Sequence, residues 1–444
     1  MKKGGEILSR PPESGIGTCS KAGAFFDEIF PGCRLGLGAK ISRILDGAAD
    51  GLFLARRFLG ARHPMRRQLR HSFHPCRLFR RLAAAILFFL SLALAFSQSA
   101  FAQETPSEDS LLASDSVVVL TMGTIVQGRV YARDEKTASA LTDLIQNLAV
   151  EYNRLFTVHE QSPITQVAEN AGRWTPIDCR AAGLVAQARA AAEQSGGAFD
   201  PTIGPVVNAW KIGFGGQDEP PAEQIAAAVA LVDWRKIETD LTAGSCRVRI
   251  GPGQSLDLGG IAKGWVGTEL VNELKKVGAV SAMLDLGGNI ALAGASPKGR
   301  DWMIGIQFPD AERGEAFAAV SARDESVITS GDYERFIAKD GKIFGHILSG
   351  KTGRPVPMTM SSVTVVDSDG AKADAWCTAF FAMGLEKTLE YMKTHPEMKV
   401  LLLGADKKTV WVSESLSDRV TLIDNFKMNV VRAEKPCRER GSNQ

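Results

Sequence analysis

The stretch SLDLGGIAKGWV, residues 255–266, carries Asp257-Leu258-Gly259-Gly260 and then Lys263; further on, AMLDLGGNI repeats the tetrad as Asp285-Leu286-Gly287-Gly288. Between them Val266, Leu270, Val271, Leu274 and Val277 recur at helical spacing, Gly278 suits a helix end, and AVSAMLDL reads as a buried strand. Upstream, CRVRIGPGQSLDLGG reads as two strands turning at Gly251-Pro252-Gly253. The unit is strand, DLGG, helix, strand, DLGG, with each tetrad at a strand end. There, glycines let the backbone approach a ligand, and a helix start offers free N–H groups to an anion. The first tetrad leads into a helix and the second into more strand, so Asp257 and Lys263 are assigned to a ligand and 285–288 to packing or a loop floor. A tight turn is the competing reading of either tetrad alone. Neither GxGxxG nor GxxxxGK(S/T) is present at either tetrad, which excludes a Rossmann fingerprint and a Walker loop there.

Outward from this unit, VVVLTMGTIVQGRVYA predicts a β-rich opening around Met122-Gly123-Thr124. Leu141, Leu144, Ile145, Leu148, Tyr152 and Leu155 share one helical face, and a second helix fits 181–194, closed by Ser195-Gly196-Gly197. AFDPTIGPVVNAWKIGFGG reads as a shaped loop with a short helix, and another helix starts from Pro220. YERFIAKDGKIFGHILS predicts a hairpin turning at Asp340-Gly341, with His346 on the return strand. A long helix is expected from about Asp374 to a stop near His395-Pro396.

Ahead of all this stands an Arg-rich head at Met65, an apolar run from Leu82 to Phe96 and Ala100-Phe101-Ala102, the layout of a secretory signal peptide over 65–102. The apolar run falls short of the ~20 residues of a membrane span; an uncleaved anchor is the alternative. Residues 1–64 are expected to be a wrongly assigned upstream extension, with translation starting at Met65. The polar stretch 103–116 reads as a flexible lead-in, 117–432 as the functional domain and 433–444 as a tail. Residues 1–102 hold 16 Lys and Arg and 6 Asp and Glu, so of the chain's 52 basic and 50 acidic side chains 36 and 44 remain, a net charge near −8. That balance offers no broad cationic footprint for nucleic acid. Of the remaining cysteines, at 179, 246, 377 and 437, an oxidising compartment permits a Cys179–Cys246 bridge, though spacing alone does not establish the pairing. His159, His346 and His395 are too few and too scattered for a histidine-rich metal site.

Asp374 and Thr378 are four apart and project from one face of the last long helix. A carboxylate and a hydroxyl form a hard-oxygen pair suited to Mg²⁺, whereas Cys377 between them is too soft for that ion. On their own these two residues read as a helix cap and a buried hydroxyl.

Taken in order, MGT (122–124), AFDPTIGP (198–205), NAWKIGFG (208–215), DLGGIAKG (257–264), DLGGNI (285–290), SGDYERF (330–336), HILSGKTGRPV (346–356) and ADAWCTA (373–379) closely resemble the ApbE family of FAD:protein FMN transferases, over nearly all of 117–415. The resemblance implies an α+β fold related to the T-fold, with mixed sheets, packed helices and two intertwined α/β subdomains. It implies transfer of the FMN half of FAD to a threonine hydroxyl of a target flavoprotein, releasing AMP, with Mg²⁺ as cofactor. By motif, Met122, His159, Ala198, Phe199, Asp200, Asp257, Lys263 and Ile347 fall to the FAD site. Asp374, Thr378 and the Gly260 carbonyl fall to the metal, with Cys377 an additional neighbour. His346 is the candidate general base, with Asp374 and Asp257 as alternatives. Three positions depart from the family pattern: His159 stands where an aromatic tyrosine is common, Ser349 replaces an aspartate, and Cys377 replaces a small polar residue. The implied acceptors are flavoprotein subunits of membrane redox complexes, such as sodium-pumping quinone reductases and Rnf-type complexes, and the implied location is the periplasm, with inner-membrane association through the leader or the targets. Competing functions are an FAD pyrophosphatase yielding FMN and AMP, and a non-catalytic periplasmic FAD-binding protein.

Overall fold

The computed structural model describes residues 112–434 apart from 213–215, 217, 310, 313, 332–335, 340–341 and 424–425, and for 336–339 and 342–344 it describes the backbone only. The leader, the upstream extension, residues 435–444 of the tail and 103–111 of the lead-in lie outside the described residues, while Ala113–Ser116, expected as part of a flexible lead-in, pair into the first strand. In chain order the elements are β1 (Ala113–Thr121), β2 (Thr124–Ala132), α1 (Glu135–Phe156), α2 (Pro163–Glu169), β3 (Thr175–Pro176), α3 (Cys179–Gln194), α4 (Gly204–Trp210), α5 (Ala222–Val229), β4 (Glu238–Asp240) and β5 (Arg247–Arg249). They continue with α6 (Ala262–Val277), β6 (Ser281–Leu286), β7 (Asn289–Ala293), β8 (Trp302–Gln307), β9 (Ala316–Ala322), β10 (Ser326–Gly331), β11 (Phe336–Lys339), β12 (Lys342–Gly345) and β13 (Met360–Asp367). The chain closes with α7 (Gly370–Met383), α8 (Leu385–Thr394), β14 (Lys399–Gly404), β15 (Thr409–Ser413), α9 (Glu414–Ser417), β16 (Val420–Leu422) and β17 (Lys427–Val431).

A mixed sheet of order β1-β2-β6-β7-β10-β13-β14-β15-β17 carries the fold, antiparallel throughout except for the β15–β17 pair. Because side chains alternate across a strand, each strand feeds two cores. Val400 and Leu402 of β14 join Val363 and Val365 of β13 and Ile328 of β10 beneath α1, α6 and α7. Leu401 and Leu403 point the other way, with Val327 and Val366, into a cluster closed by the small sheet β16-β9-β8. Strands buried on both faces read as continuous apolar runs, which is why KVLLLG lacks a polar phase; in β13 the second phase carries the buried hydroxyls of Ser362 and Thr364. The described residues 112–434 fall within one compact unit.

Gly278 ends α6 as expected, in the left-handed region at φ 111°, and α1 starts at a cap the sequence reading did not name, the Asp134 carboxylate accepting the Thr137 amide at 2.8 Å. The β11–β12 hairpin forms with Lys339 opposite Lys342, its turn residues lying outside the described set; His346 falls just past β12 rather than on it. Two further expectations do not hold. The long C-terminal helix starts four residues before Asp374, capped by Asp369, and breaks at Gly384 (φ 78°, ψ 169°) into α7 and α8. The segment before the first DLGG is not a strand: Gln254, Leu256 and Leu258 are buried in alternation, yet no ladder pairs them. The Gln254 side chain stands in for a ladder, accepting the Gly251 amide at 2.7 Å and donating to the Leu231 and Asp233 carbonyls at 2.8 and 3.0 Å, while the Asp257 amide donates to Pro201 O at 2.8 Å. The period of two is real; its hydrogen bonds go to side chain and loop.

A disulfide joins Cys179, at the start of α3, to Cys246, beside β5, across 67 residues of chain. It ties together the helix that leads into Ala198-Phe199-Asp200 and the strand that leads into the first DLGG. Closing a loop of that length removes roughly 4 kcal/mol of unfolded-chain entropy. The Cys179→Ser/Cys246→Ser double variant should therefore unfold in urea with ΔG lower by about that amount, measured against wild type without reductant.

Candidate active site

Helix α6 starts without a local cap: Ile261 stands at the cap position and makes no side-chain bond to the exposed amides. Four N–H groups at a helix start need partners. One is supplied from another helix, because Asp374 Oδ2 accepts the Gly264 amide at 2.9 Å. Asp374 is 2% exposed, and a carboxylate at the positive end of a helix is electrostatically favoured. It thus serves as the cap of α6 from the middle of α7, instead of capping its own helix. The two helices approach this closely because both carry glycine at the crossing. A Cβ on Gly264 would lie 2.0 Å from Gly370 O, and one on Gly370 would lie 2.4 Å from Gly264 O. Thr268 Oγ1 accepts the Gly370 amide at 2.9 Å, closing the joint.

One turn along α7, Thr378 Oγ1 stands 3.5 Å from Gly260 O. That is long for an O–H···O bond, whose usual separation is ~2.7–2.8 Å, so the two oxygens lie side by side rather than tightly bonded. A Cβ on Gly260 would meet Thr378 Oγ1 at 2.8 Å and Phe199 Cε2 at 3.3 Å. The structure therefore brings Phe199, Gly260, Asp374 and Thr378 to one place. Among the described residues no group of three or more His, Cys, Asp or Glu side chains gathers as a metal cluster; the donors converging here are a carboxylate, a hydroxyl and a carbonyl. All are hard oxygens, the chemistry that fits Mg²⁺. Cys377 is not with them: its buried thiol donates to Ile328 O at 3.1 Å and approaches Val363 O at 3.5 Å, on the sheet side of α7.

The remaining sequence candidates are spread over several segments. Asp257 Oδ1 accepts the Gly259 amide at 2.7 Å, shaping the loop, and Lys263 Nζ reaches Gly259 O at 3.4 Å. Neither Gly259 nor Gly260 adopts a positive φ, so the first tetrad uses glycine for space. The second differs: Gly287 (φ 70°) and Gly288 (φ 96°) form the two-residue turn of the β6–β7 hairpin. Met122 (φ 53°) and Gly123 (φ 65°) form the matching turn between β1 and β2. A non-glycine residue held there stores strain of about 1 kcal/mol, a trait of functional sites. Ala198 is half-buried, and Asp200 sits 3.9 Å, Cβ to Cβ, from a side chain built on Gly350 in the HILSGKTGRPV loop. His159 is exposed three residues past Phe156, the end of α1, and its amide donates to Thr157 Oγ1 at 3.2 Å. His346 and Ile347 line a small cleft with Gly331, Val356, Met358 and Phe381. Phe381 lies two helical turns, ~10 Å, beyond Asp374.

Ser349 takes over local work in that loop: its hydroxyl accepts the Lys351 and Thr352 amides at 3.2 and 3.3 Å. The loop is seated by Trp210, whose indole donates to Gly353 O at 2.6 Å, and by an ion pair between Arg354 and Glu219. Gly264, Gly370 and Thr268 escaped the sequence reading. A glycine one turn into a predicted helix, as in GIAKGW, is the signal that flags such a crossing.

The chain belongs to the ApbE family, whose sequence model matches residues 122–402. Relatives named FAD:protein FMN transferase include those of Klebsiella pneumoniae, 32% identical over 66% of this chain and 90% of the relative, and Treponema pallidum, 32% identical over 69% and 88%. Among solved structures, the ApbE protein of Thermotoga maritima (TM-score 0.62, 26% identity, 69% of this chain and 99% of that one) and the flavin transferase ApbE of Vibrio cholerae (TM-score 0.59, 26% identity, 69% and 99%) share the fold.

Burial holds the Asp200 carboxyl above the ordinary carboxylate range, against the pull of the Thr202 hydroxyl and amide that it accepts at 2.6 and 2.9 Å. A raised folded pKa means that the folded state binds the proton more tightly; its stabilising contribution is complete below the unfolded pKa, ~3.9, and is lost as pH rises through the folded one. Asp200→Asn, which keeps an acceptor for Thr202, should be more stable than wild type at pH 7, with the gap closing toward pH ~4, in urea melts at both pH values. A gap independent of pH would remove the proton linkage.

Proposed function

We propose that this chain transfers the FMN moiety of FAD to a threonine hydroxyl of a target flavoprotein in a Mg²⁺-dependent reaction. The observation that carries the reading is the oxygen set of Asp374, Thr378 and Gly260 at the α6–α7 crossing, with Phe199 packed against it, in a chain whose named relatives are FAD:protein FMN transferases. Those three residues would hold the cation, which supplies charge stabilisation at the pyrophosphate oxygens. Lys263 stands one position before Gly264 on the first turn of α6 and adds a positive charge where the leaving phosphate gains a negative one.

In this reading the acceptor Oγ forms a bond to the phosphorus on the FMN side while the bridging P–O bond to the AMP phosphate breaks. AMP departs with the electron pair of that bond, and the hydroxyl proton passes to a general base. His346 is the proposed base, poised after the β11–β12 hairpin in the cleft that the substrate hydroxyl would enter. Asp374 has one oxygen committed to the Gly264 amide, which favours a holding role for it. Asp257, bonded to Gly259, is better suited to shaping the loop.

Export through the 65–102 leader completes the proposal. It is supported by the Cys179–Cys246 bridge, a feature of oxidising compartments. Among the described residues no helix is long and apolar enough to cross a membrane. Quinone-reductase and Rnf-type subunits are the acceptor class to try first.

The test is incubation with FAD, Mg²⁺ and candidate acceptor domains, read by in-gel flavin fluorescence and by the mass gained by the acceptor. AMP formed without a labelled acceptor would instead identify an FAD pyrophosphatase, and FAD retained without AMP a binding protein. Asp374→Asn keeps an acceptor for the Gly264 amide, so it should fold normally yet lose transfer by at least ~100-fold. His346→Ala should slow transfer by about 100-fold with FAD affinity retained; an undiminished rate assigns the base elsewhere.

A further inference from the structure

The second DLGG tetrad takes no part in the proposed chemistry, and we infer that Asp285 and Gly287 are positioning residues that hold the Thr121–Thr124 turn, and with it Met122, in place for the flavin nucleotide. The inference rests on the transferase reading only in placing Met122 at the FAD site. Asp285 and Gln127 are direct partners in the β2–β6 ladder. Val126 and Val130 of β2 belong to the helix-side core, so by the period of two Gln127 faces away from the helices. On that outer face Gln127 Nε2 donates to Asp285 Oδ2 at 3.1 Å, while the Gly288 amide donates to Asp285 Oδ1 at 2.7 Å. One carboxylate thus ties its own turn to the strand that leaves the Met122 turn.

On the helix side the two turns touch directly. A Cβ on Gly287 would lie 2.1 Å from Thr124 Oγ1 and 2.9 Å from Thr124 Cβ, so Thr124 is seated on a bare Cα. Gly287 is also left-handed, at φ 70°, which L side chains rarely adopt. Met122 has the same unfavourable hand without being glycine, at φ 53°. A strained turn persists where its surroundings over-determine it, and here it is gripped from both faces of the sheet by the neighbouring hairpin.

The test compares Asp285→Ala, Asp285→Asn and Gly287→Ala with a matched control, Asp324→Ala. Asp324 Oδ1 accepts the Gly294 amide at 2.8 Å at the opposite end of β7, an equivalent tie remote from the Met122 turn. Amide hydrogen exchange of the 121–124 segment in ligand-free protein reads the grip, and FAD affinity by quenching of flavin fluorescence reads its consequence. Asp285→Ala should speed that exchange and weaken FAD binding, each by about tenfold, and Gly287→Ala should act in the same direction. Asp285→Asn, which keeps an acceptor for Gly288, should recover most of the loss. Asp324→Ala should lower the melting temperature while leaving both readings at wild-type values. Unchanged exchange in Asp285→Ala, or equal changes in Asp324→Ala, would overturn the inference. A wild-type chain that binds no FAD would sink the transferase reading instead, and the exchange data would still decide whether the turn is held.

Discussion

The contact on which the rest of the site depends is the crossing of α6 and α7, where Gly264 and Gly370 lie backbone to backbone. Any side chain at either position would push the helices apart, and the bond from the Gly264 amide to Asp374 would be lost with the approach. That bond satisfies a helix start that has no cap of its own, so the carboxylate proposed to hold the cation also contributes to stability. Burying it costs solvation, and the oriented amides of α6 offset that cost. The arrangement makes the site a product of helix packing, with the Asp374 and Thr378 oxygens on one helix and the Gly260 carbonyl in the turn that enters the other.

Around that crossing, the nine-stranded sheet acts as a rigid floor with two cores. The helix-side core sets the height of α6 and α7 above the sheet, and Cys377 contributes by engaging the Ile328 and Val363 carbonyls. Trp265, one residue past Gly264, is clamped edge-on by Tyr152 and Phe156 of α1. The segments that approach from the other side, Ala198–Asp200 and Ser349–Gly353, are joined to the small helical layer of α4 and α5 through Trp210 and Gly350. The disulfide fastens the helix leading into the first of these to the strand leading into the first DLGG.

The doubled tetrad resolves into two uses of one sequence. In the first, Asp257 bends the loop and Gly260 has no room for a side chain beside Thr378 and Phe199. In the second, both glycines occupy left-handed backbone in a hairpin turn and the aspartate ties that turn to β2. Identical residues serve close approach in one place and backbone handedness in the other, because one tetrad precedes a helix and the other precedes a strand.

The sequence by itself determined the periods, the turn chemistry and the order of motifs. The α6 face from Val266 to Leu274, the Gly278 stop, the β11–β12 hairpin and the pairing of Asp374 with Thr378 on one helical face all follow from spacing and local conformational preference. Alternation misled at Gln254–Leu258, where a buried glutamine supplies the bonds that a neighbouring strand would have given. Local pattern reports which face of a segment is buried and says nothing of what buries it. Only the tertiary structure decided that Asp374 caps a helix 110 positions away in the chain, that Cys377 turns to the sheet, and that Cys179 finds Cys246. Those outcomes depend on contacts between segments distant in sequence, set by close packing against a common floor, and no local preference encodes them.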